Sequence, residues 1–126
     1  MKVKKYRSKF EERVAKQIKD NGVKIMFETE VINYVKPATH HKYTPDFVLP
    51  NGIYIETKGH FKLEDRKKHL LLKEQHPELD IRLVFQRANN PINKGSKTTY
   101  GMWADKNGIK WANKQIPAEW YRENNK

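Results

Sequence analysis

The sequence predicts a mixed α/β domain, and three observations carry that prediction. Helical spacing and strand alternation follow one another in the order helix, strand, hairpin, helix, strand, helix. The 126 residues suit a single domain spanning 1–126; a chain of this size buries roughly two-thirds of its unfolded surface, enough for a core of its own. No internal repeat, low-complexity tract or linker divides it.

The first helix starts at Ser8. Ser8-Lys9-Phe10-Glu11 fits a capping box, with Ser8 as N-cap and Glu11 at the third helical position. Phe10, Val14 and Ile18 then recur at helical spacing, and Asp20-Asn21-Gly22 stops the helix. Val23, Ile25 and Phe27 alternate with Lys24 and Met26, which predicts a strand, and extended character continues from Val31 to Pro37. Phe47-Val48-Leu49 and Ile53-Tyr54-Ile55 flank Pro50-Asn51-Gly52, a hairpin with a three-residue loop. Leu63 to Gln75 reads as a helix ended by Pro77, and Ile81, Leu83 and Phe85 as a strand. Gln86 to Thr98 is polar, basic and rich in Asn, a long surface loop. Tyr100 to Lys106 makes a short helix before Asn107-Gly108, Ile109 to Ala112 a short strand or turn, and Pro117-Ala118-Glu119-Trp120 a last helical turn.

Composition narrows the chemistry. There is no cysteine, which excludes disulfides, thiolate zinc sites and cysteine nucleophiles and agrees with a reducing compartment. No apolar run exceeds three residues, so neither a membrane span nor a signal-peptide core is expected and the chain reads as soluble and cytoplasmic. Walker, dinucleotide-binding and His-Glu-x-x-His motifs are missing, and of the two serines Ser8 is a cap and Ser96 lies in the basic loop. The net charge of +11 points to a polyanionic partner, nucleic acid before membrane because no long basic amphipathic helix is evident. Basic residues concentrate at Lys2, Lys4, Lys5, Arg7 and Lys9, and again over residues 82–114, where seven stand against Asp105 alone.

The residues that stand out for chemistry are Asp46, Glu56 and Lys58. Strand alternation puts Glu56 and Lys58 on one face. The three-residue loop pairs Val48 with Tyr54 and so sets Asp46 opposite Glu56; a two-residue loop would divide them between faces. Two carboxylates at one point repel unless a cation lies between them. Oxygen donors alone favour magnesium or manganese over zinc. Such an ion polarises a phosphodiester and lowers the pKa of bound water, and a nearby lysine offsets charge on the phosphate or holds the water. A surface salt bridge on an edge hairpin is the plainer reading of the same three residues.

Pro45-Asp46 followed by Glu56-x-Lys58 resembles the PD-(D/E)XK nuclease motif. The wider text is similar to the phage endonuclease I family of Holliday-junction resolvases: Tyr43-Thr44-Pro45-Asp46-Phe47, Leu49-Pro50-Asn51-Gly52-Ile53, Glu56-Thr57-Lys58-Gly59, Asp65-Arg66-Lys67-Lys68-His69-Leu70-Leu71, Glu74 to Arg82, and Ile116-Pro117-Ala118-Glu119-Trp120. The resemblance covers about residues 6–122. It implies a restriction-endonuclease-like mixed sheet flanked by helices in a domain-swapped homodimer, with about 1–35 exchanged and about 39–126 as the catalytic core. It further implies two Mg²⁺ or Mn²⁺ ions per site: Asp46 shared between them, Glu56 and the Thr57 carbonyl on the first, Glu11 helping hold the second, and Lys58 facing the phosphate or the water. Glu11 would complete the partner chain's site. Spacing alone assigns Glu11 to the cap, so the two roles compete, and the carboxylate is expected to favour the metal when metal is bound. The implied activity is paired nicking of four-way and other branched DNA, leaving 5′-phosphate and 3′-hydroxyl ends, in the cytoplasm of the host cell if the chain is phage-encoded. No small-molecule cofactor is expected. The short stretch after Trp120 predicts weaker contacts on the DNA arms than in family members with a longer basic tail.

For DNA phosphates, the basic residues singled out are Lys2, Lys4, Lys5, Arg7, Lys9, Arg66, Lys67, Lys68, Lys94 and Lys97, contacts that add salt-sensitive affinity without sequence preference. His40 and His41 are neighbours on an extended segment, point apart and read as surface residues; Trp103, Trp111 and Trp120 read as packing. Two alternatives stay open: a non-catalytic junction-binding module, and another PD-(D/E)XK nuclease acting on mismatched or linear DNA.

Overall fold

The computed structural model describes residues 6–36 and 39–124. In chain order the elements are α1 (Lys9–Asp20), β1 (Ile32–Lys36), β2 (Thr39–Tyr43), β3 (Phe47–Val48), β4 (Tyr54–Lys58), α2 (Leu63–Gln75), β5 (Ile81–Phe85), α3 (Tyr100–Lys106), β6 (Trp111–Asn113) and α4 (Ala118–Arg122). Strands β3-β4-β5-β6 form one mixed sheet, antiparallel at β3–β4 and parallel beyond. The parallel pairs need long crossovers, which α2 and α3 supply. Strands β1 and β2 form a separate antiparallel pair, from Ile32 opposite Tyr43 to Lys36 opposite Thr39.

Alternation along the central strands divides the core. On one side Ile55 and Val84 meet Phe10, Val14, Ala15 and Ile18 of α1, with Ile116 and Trp120 closing the layer. On the other, Leu83 and Phe85 meet Phe61, Tyr100 and Ala104. Gly101 lets α3 approach β6: a Cβ there would stand 2.7 Å from the Trp111 ring. A third cluster joins Ile32, Tyr34 and Tyr43 to Leu72 of α2. Helix α1 rests on its own chain, where the Gln17 amide donates to the Ile116 carbonyl at 2.7 Å and accepts from its N–H at 2.9 Å.

Several expectations are corrected. Val23 to Phe27 forms no regular strand; it runs extended beside β3 through one bridge, Phe27 to Phe47, and Glu28, with a φ of 52°, turns the chain away. Strand β2 went unforeseen because Thr39 to Tyr43 (THHKY) lacks apolar alternation and is held by pairing with β1 instead. The last strand, β6, is Trp111–Asn113, where a short strand or turn was expected over Ile109 to Ala112, since the Ile109 N–H is used to close α3 on Ala104. The loop after β5 is partly internal: Ala88 is buried, Pro91 bridges Thr99, and the Ile92 N–H donates to the Thr98 carbonyl. Pro37, the end of the stretch read as extended from Val31, lies outside the described residues.

Candidate active site

The turn at residues 50–52 is built as its chemistry requires. The Leu49 N–H donates to the Ile53 carbonyl at 2.8 Å, the Gly52 N–H to Leu49 at 2.9 Å, and Gly52 takes a φ of 89° that favours glycine. Asn51 ties the turn to the end of α4 through the Trp120 and Glu123 carbonyls, at 2.8 and 2.9 Å. The register is Val48 opposite Tyr54 and Phe47 opposite Ile55, so the next pair is Asp46 and Glu56.

Both carboxylates are buried, Asp46 at 2% exposure and Glu56 at 6%. One Asp46 oxygen accepts from the Thr57 N–H at 2.9 Å and the Thr57 hydroxyl at 2.7 Å; the other faces Arg7 Nη2 at 3.4 Å. One Glu56 oxygen accepts from the Tyr43 hydroxyl at 2.8 Å, and the other lies 3.5 Å from Lys58 Nζ. Lys58 is braced from behind by Asp65 at 3.2 Å, whose second oxygen accepts from the Lys62 N–H at the start of α2.

Burial sets the electrostatics. It pushes the Glu56 carboxyl up to about 7, with the neighbouring Asp46 charge adding to the rise against Lys58, Lys68 and the tyrosine bond. Burial also raises Asp46, opposed by its two Thr57 bonds. Burial alone would lower Lys58, but Glu56 and Asp65 outweigh it and hold the ammonium charged.

The structure corrects the capping-box reading of Glu11. Ser8 caps α1 by accepting from the Glu11 N–H at 3.1 Å, but the Glu11 carboxylate does not return to Ser8 as a capping box requires. It accepts from the Arg7 N–H at 2.7 Å and is turned toward the Asp46 side. The Arg7 guanidinium links Glu11, Glu28 and Asp46. Sequence reading missed Glu28, whose half-buried side chain stands on a left-handed backbone, and neither feature shows in spacing. In this one chain, Glu11 lies beside its own Asp46 through their shared Arg7.

The basic residues part company. Arg66, expected on a DNA-facing surface, is buried at 3% and donates to the Phe61 and Ile92 carbonyls at 2.8 and 3.0 Å, because α2 turns that position toward the loop after β5. Arg7 is exposed but engaged with the carboxylates. Lys68 is half-buried, with Nζ 5.5 Å from the centre of the Tyr43 ring. Lys9, Lys67, Lys94 and Lys97 are exposed, and Lys2, Lys4 and Lys5 lie outside the described residues. His40 is exposed, the His41 ring lies 5.7 Å from that of Tyr34, and Trp103, Trp111 and Trp120 pack against the core.

Among the described residues no three Asp, Glu or His side chains converge as a ready metal-ligand set. Arg7 and Lys58 supply the positive charge in this conformation. The donor chemistry still fits a hard divalent cation: adjacent buried carboxylates, one pushed up to about 7, and no nitrogen or sulfur ligand beside them. A model of the family described as phage endonuclease I matches residues 1–126. The chain is 54% identical over 122 residues to Endonuclease I of Escherichia phage T7, covering 97% of this chain and 82% of that protein. It is 53% identical over 118 residues to Endodeoxyribonuclease 1 of Enterobacteria phage T3, covering 94% and 78%. With the whole chain matched and its acid–lysine cluster assembled at the end of the hairpin, the chain belongs to the phage endonuclease I family.

Proposed function

We propose that this chain is a metal-dependent endodeoxyribonuclease that resolves four-way (Holliday) and other branched DNA junctions by paired nicks, acting in the host cytoplasm. The observation that carries the reading is the meeting of Asp46, Glu56 and Lys58 at the end of β3 and β4, two buried acids with a charged lysine beside them. Two divalent cations are assigned here: Asp46, Glu56 and the Thr57 carbonyl would hold the first, and Asp46 with Glu11 the second. Bound there, they would polarise the scissile phosphodiester and lower the pKa of the attacking water. The protein's own groups do the rest. Asp65 holds Lys58 against the site, so its ammonium is aimed at the phosphate or the water. Thr57 holds one Asp46 oxygen by backbone and hydroxyl together, which leaves the other oxygen as the one that would meet a bound cation. Arg7 must leave the carboxylates for cations to enter, and its guanidinium is then free to meet DNA phosphate. Exposed Lys9, Lys67, Lys94 and Lys97 add backbone contacts that read shape rather than bases.

Homodimerisation with exchange of the amino-terminal segment belongs to the same proposal. Exchange of the β1–β2 pairing would let β1 of one chain take the same register against β2 of another, and α1 would then carry Glu11 to the partner's Asp46. No helix among the described residues is long and apolar enough to cross a membrane.

The test is an end-labelled four-way junction and a matched linear duplex, each incubated with magnesium and with EDTA. Paired nicks near the branch, in magnesium alone, are expected, and Glu56→Ala should still bind the junction without cutting it. Cutting by Glu56→Ala at the wild-type rate removes the site assignment, and equal cutting of the linear duplex removes the claim about branched DNA.

A further inference from the structure

We infer that Tyr43 is a positioning residue that fixes which oxygen of Glu56 is offered to the divalent cation. The inference rests on the metal-dependent reading above. Tyr43 is 2% exposed, and its hydroxyl donates to Glu56 Oε1 at 2.8 Å. That oxygen is pinned and has one lone pair engaged. The other, Oε2, is the one beside Lys58 at 3.5 Å. Glu56 therefore presents its two oxygens unequally, Oε2 the less encumbered.

The tyrosine is well built for holding the carboxylate still. It stands on β2, in a different sheet from Glu56, so the two are not carried by one strand. Its ring is packed with Ile32, Tyr34 and Leu72, meets the His69 ring edge-on at 5.7 Å, and has Lys68 Nζ over it at 5.5 Å. Wedged this way, the hydroxyl cannot follow Glu56 if the carboxylate rotates. A phenol is also a neutral donor. It orients the acid without cancelling the negative charge that a cation needs, which a lysine in its place would do.

The variant is Tyr43→Phe, which keeps the ring and removes the bond. Mn²⁺ titrated calorimetrically into the DNA-free protein is expected to bind about tenfold more weakly, the scale of effect when a group hydrogen-bonded to a metal ligand is lost. Half-saturating Mg²⁺ for junction cleavage should rise by a similar factor, while the plateau rate and junction affinity stay close to wild type; the buried Glu56 oxygen left without its donor should lower the melting temperature in EDTA as well. Mn²⁺ binding by Tyr43→Phe within twofold of wild type overturns the inference. The wild-type protein gives a second reading that needs no Tyr43 variant: Mn²⁺ uptake should perturb its near-ultraviolet tyrosine absorbance, a signal lost in Glu56→Gln, and an unchanged spectrum overturns the inference as well. Glu56→Ala run beside these separates the two levels. If it loses the metal while Tyr43→Phe keeps it, only the role of Tyr43 fails; if it binds Mn²⁺ as wild type does, the metal-site reading fails with it.

Discussion

At the scale of the residue, Glu56 makes stability depend on pH. Its carboxyl is pushed from 4.5 up to about 7 in the fold, so the protonated form is the one the fold favours. The contribution is intact below the unfolded value of 4.5 and is lost as pH rises through about 7, a loss on the order of 3 kcal/mol. Glu56→Gln, which stays neutral, should therefore gain on wild type by about that amount between pH 4.5 and 8 in EDTA, measured by denaturant unfolding. Saturating Mg²⁺ should shrink the gap, because only the wild-type carboxylate is helped by it. Arg7 gives a second test. Its side chain is largely exposed, so screening discounts its ion pairs, but three acids depend on it. Arg7→Ala should cost about 1 kcal/mol in EDTA, and divalent cation should restore it. The triad of Asp46, Glu56 and Lys58 was readable in the sequence because a three-residue turn and strand alternation together determine which residues meet. Glu28 and Tyr43 were not, because a backbone torsion and a contact between two sheets leave no trace in spacing.

At the scale of the element, α2 is the piece on which the site leans. Its bounds, Leu63 to Gln75, were legible from composition and Pro77. Its duties were not. Asp65 at its first turn accepts from the Lys62 N–H and pairs with Lys58, so the helix start and Lys58 share one carboxylate. Asp65→Asn retains an oxygen for the helix start and loses the ion pair; junction cleavage should fall at least about tenfold with little change in melting temperature. One residue on, Arg66 reads in sequence like any surface cation. Its burial against two carbonyls makes it a clamp between α2 and the loop after β5. Arg66→Met should destabilise by about 2–4 kcal/mol by stranding those carbonyls, with DNA affinity per folded molecule unchanged. On the same helix, burial holds the His69 imidazole at about 3, well below 6.5, so its contribution is lost as pH falls from 6.5 toward 3. Strand β2 escaped sequence reading because its residues carry no apolar alternation and owe their conformation to β1.

At the scale of the whole molecule, charge is legible in the sequence, and chain exchange, where proposed, leaves no mark in composition or spacing. A closed chain and an exchanged pair make the same contacts in the same register, so composition cannot tell them apart. Mixed dead variants can. If Glu11 serves the partner's core, unfolding Glu11→Ala and Glu56→Ala together and refolding them should yield mixed dimers with one intact site, read as nicking of a single strand of the junction. Chains that keep Glu11 for themselves would give no activity from the mixture. A last consequence comes from the reciprocal amide bonds between Gln17 and Ile116. The residues they join are 99 apart in sequence, so α1 leaves the ribosome long before the surface it covers has been translated. Throughout that interval its apolar side chains, Phe10, Val14 and Ile18, are without the core that buries them. If chains exchange this segment, that interval is when a neighbouring chain's core could receive it in place of its own.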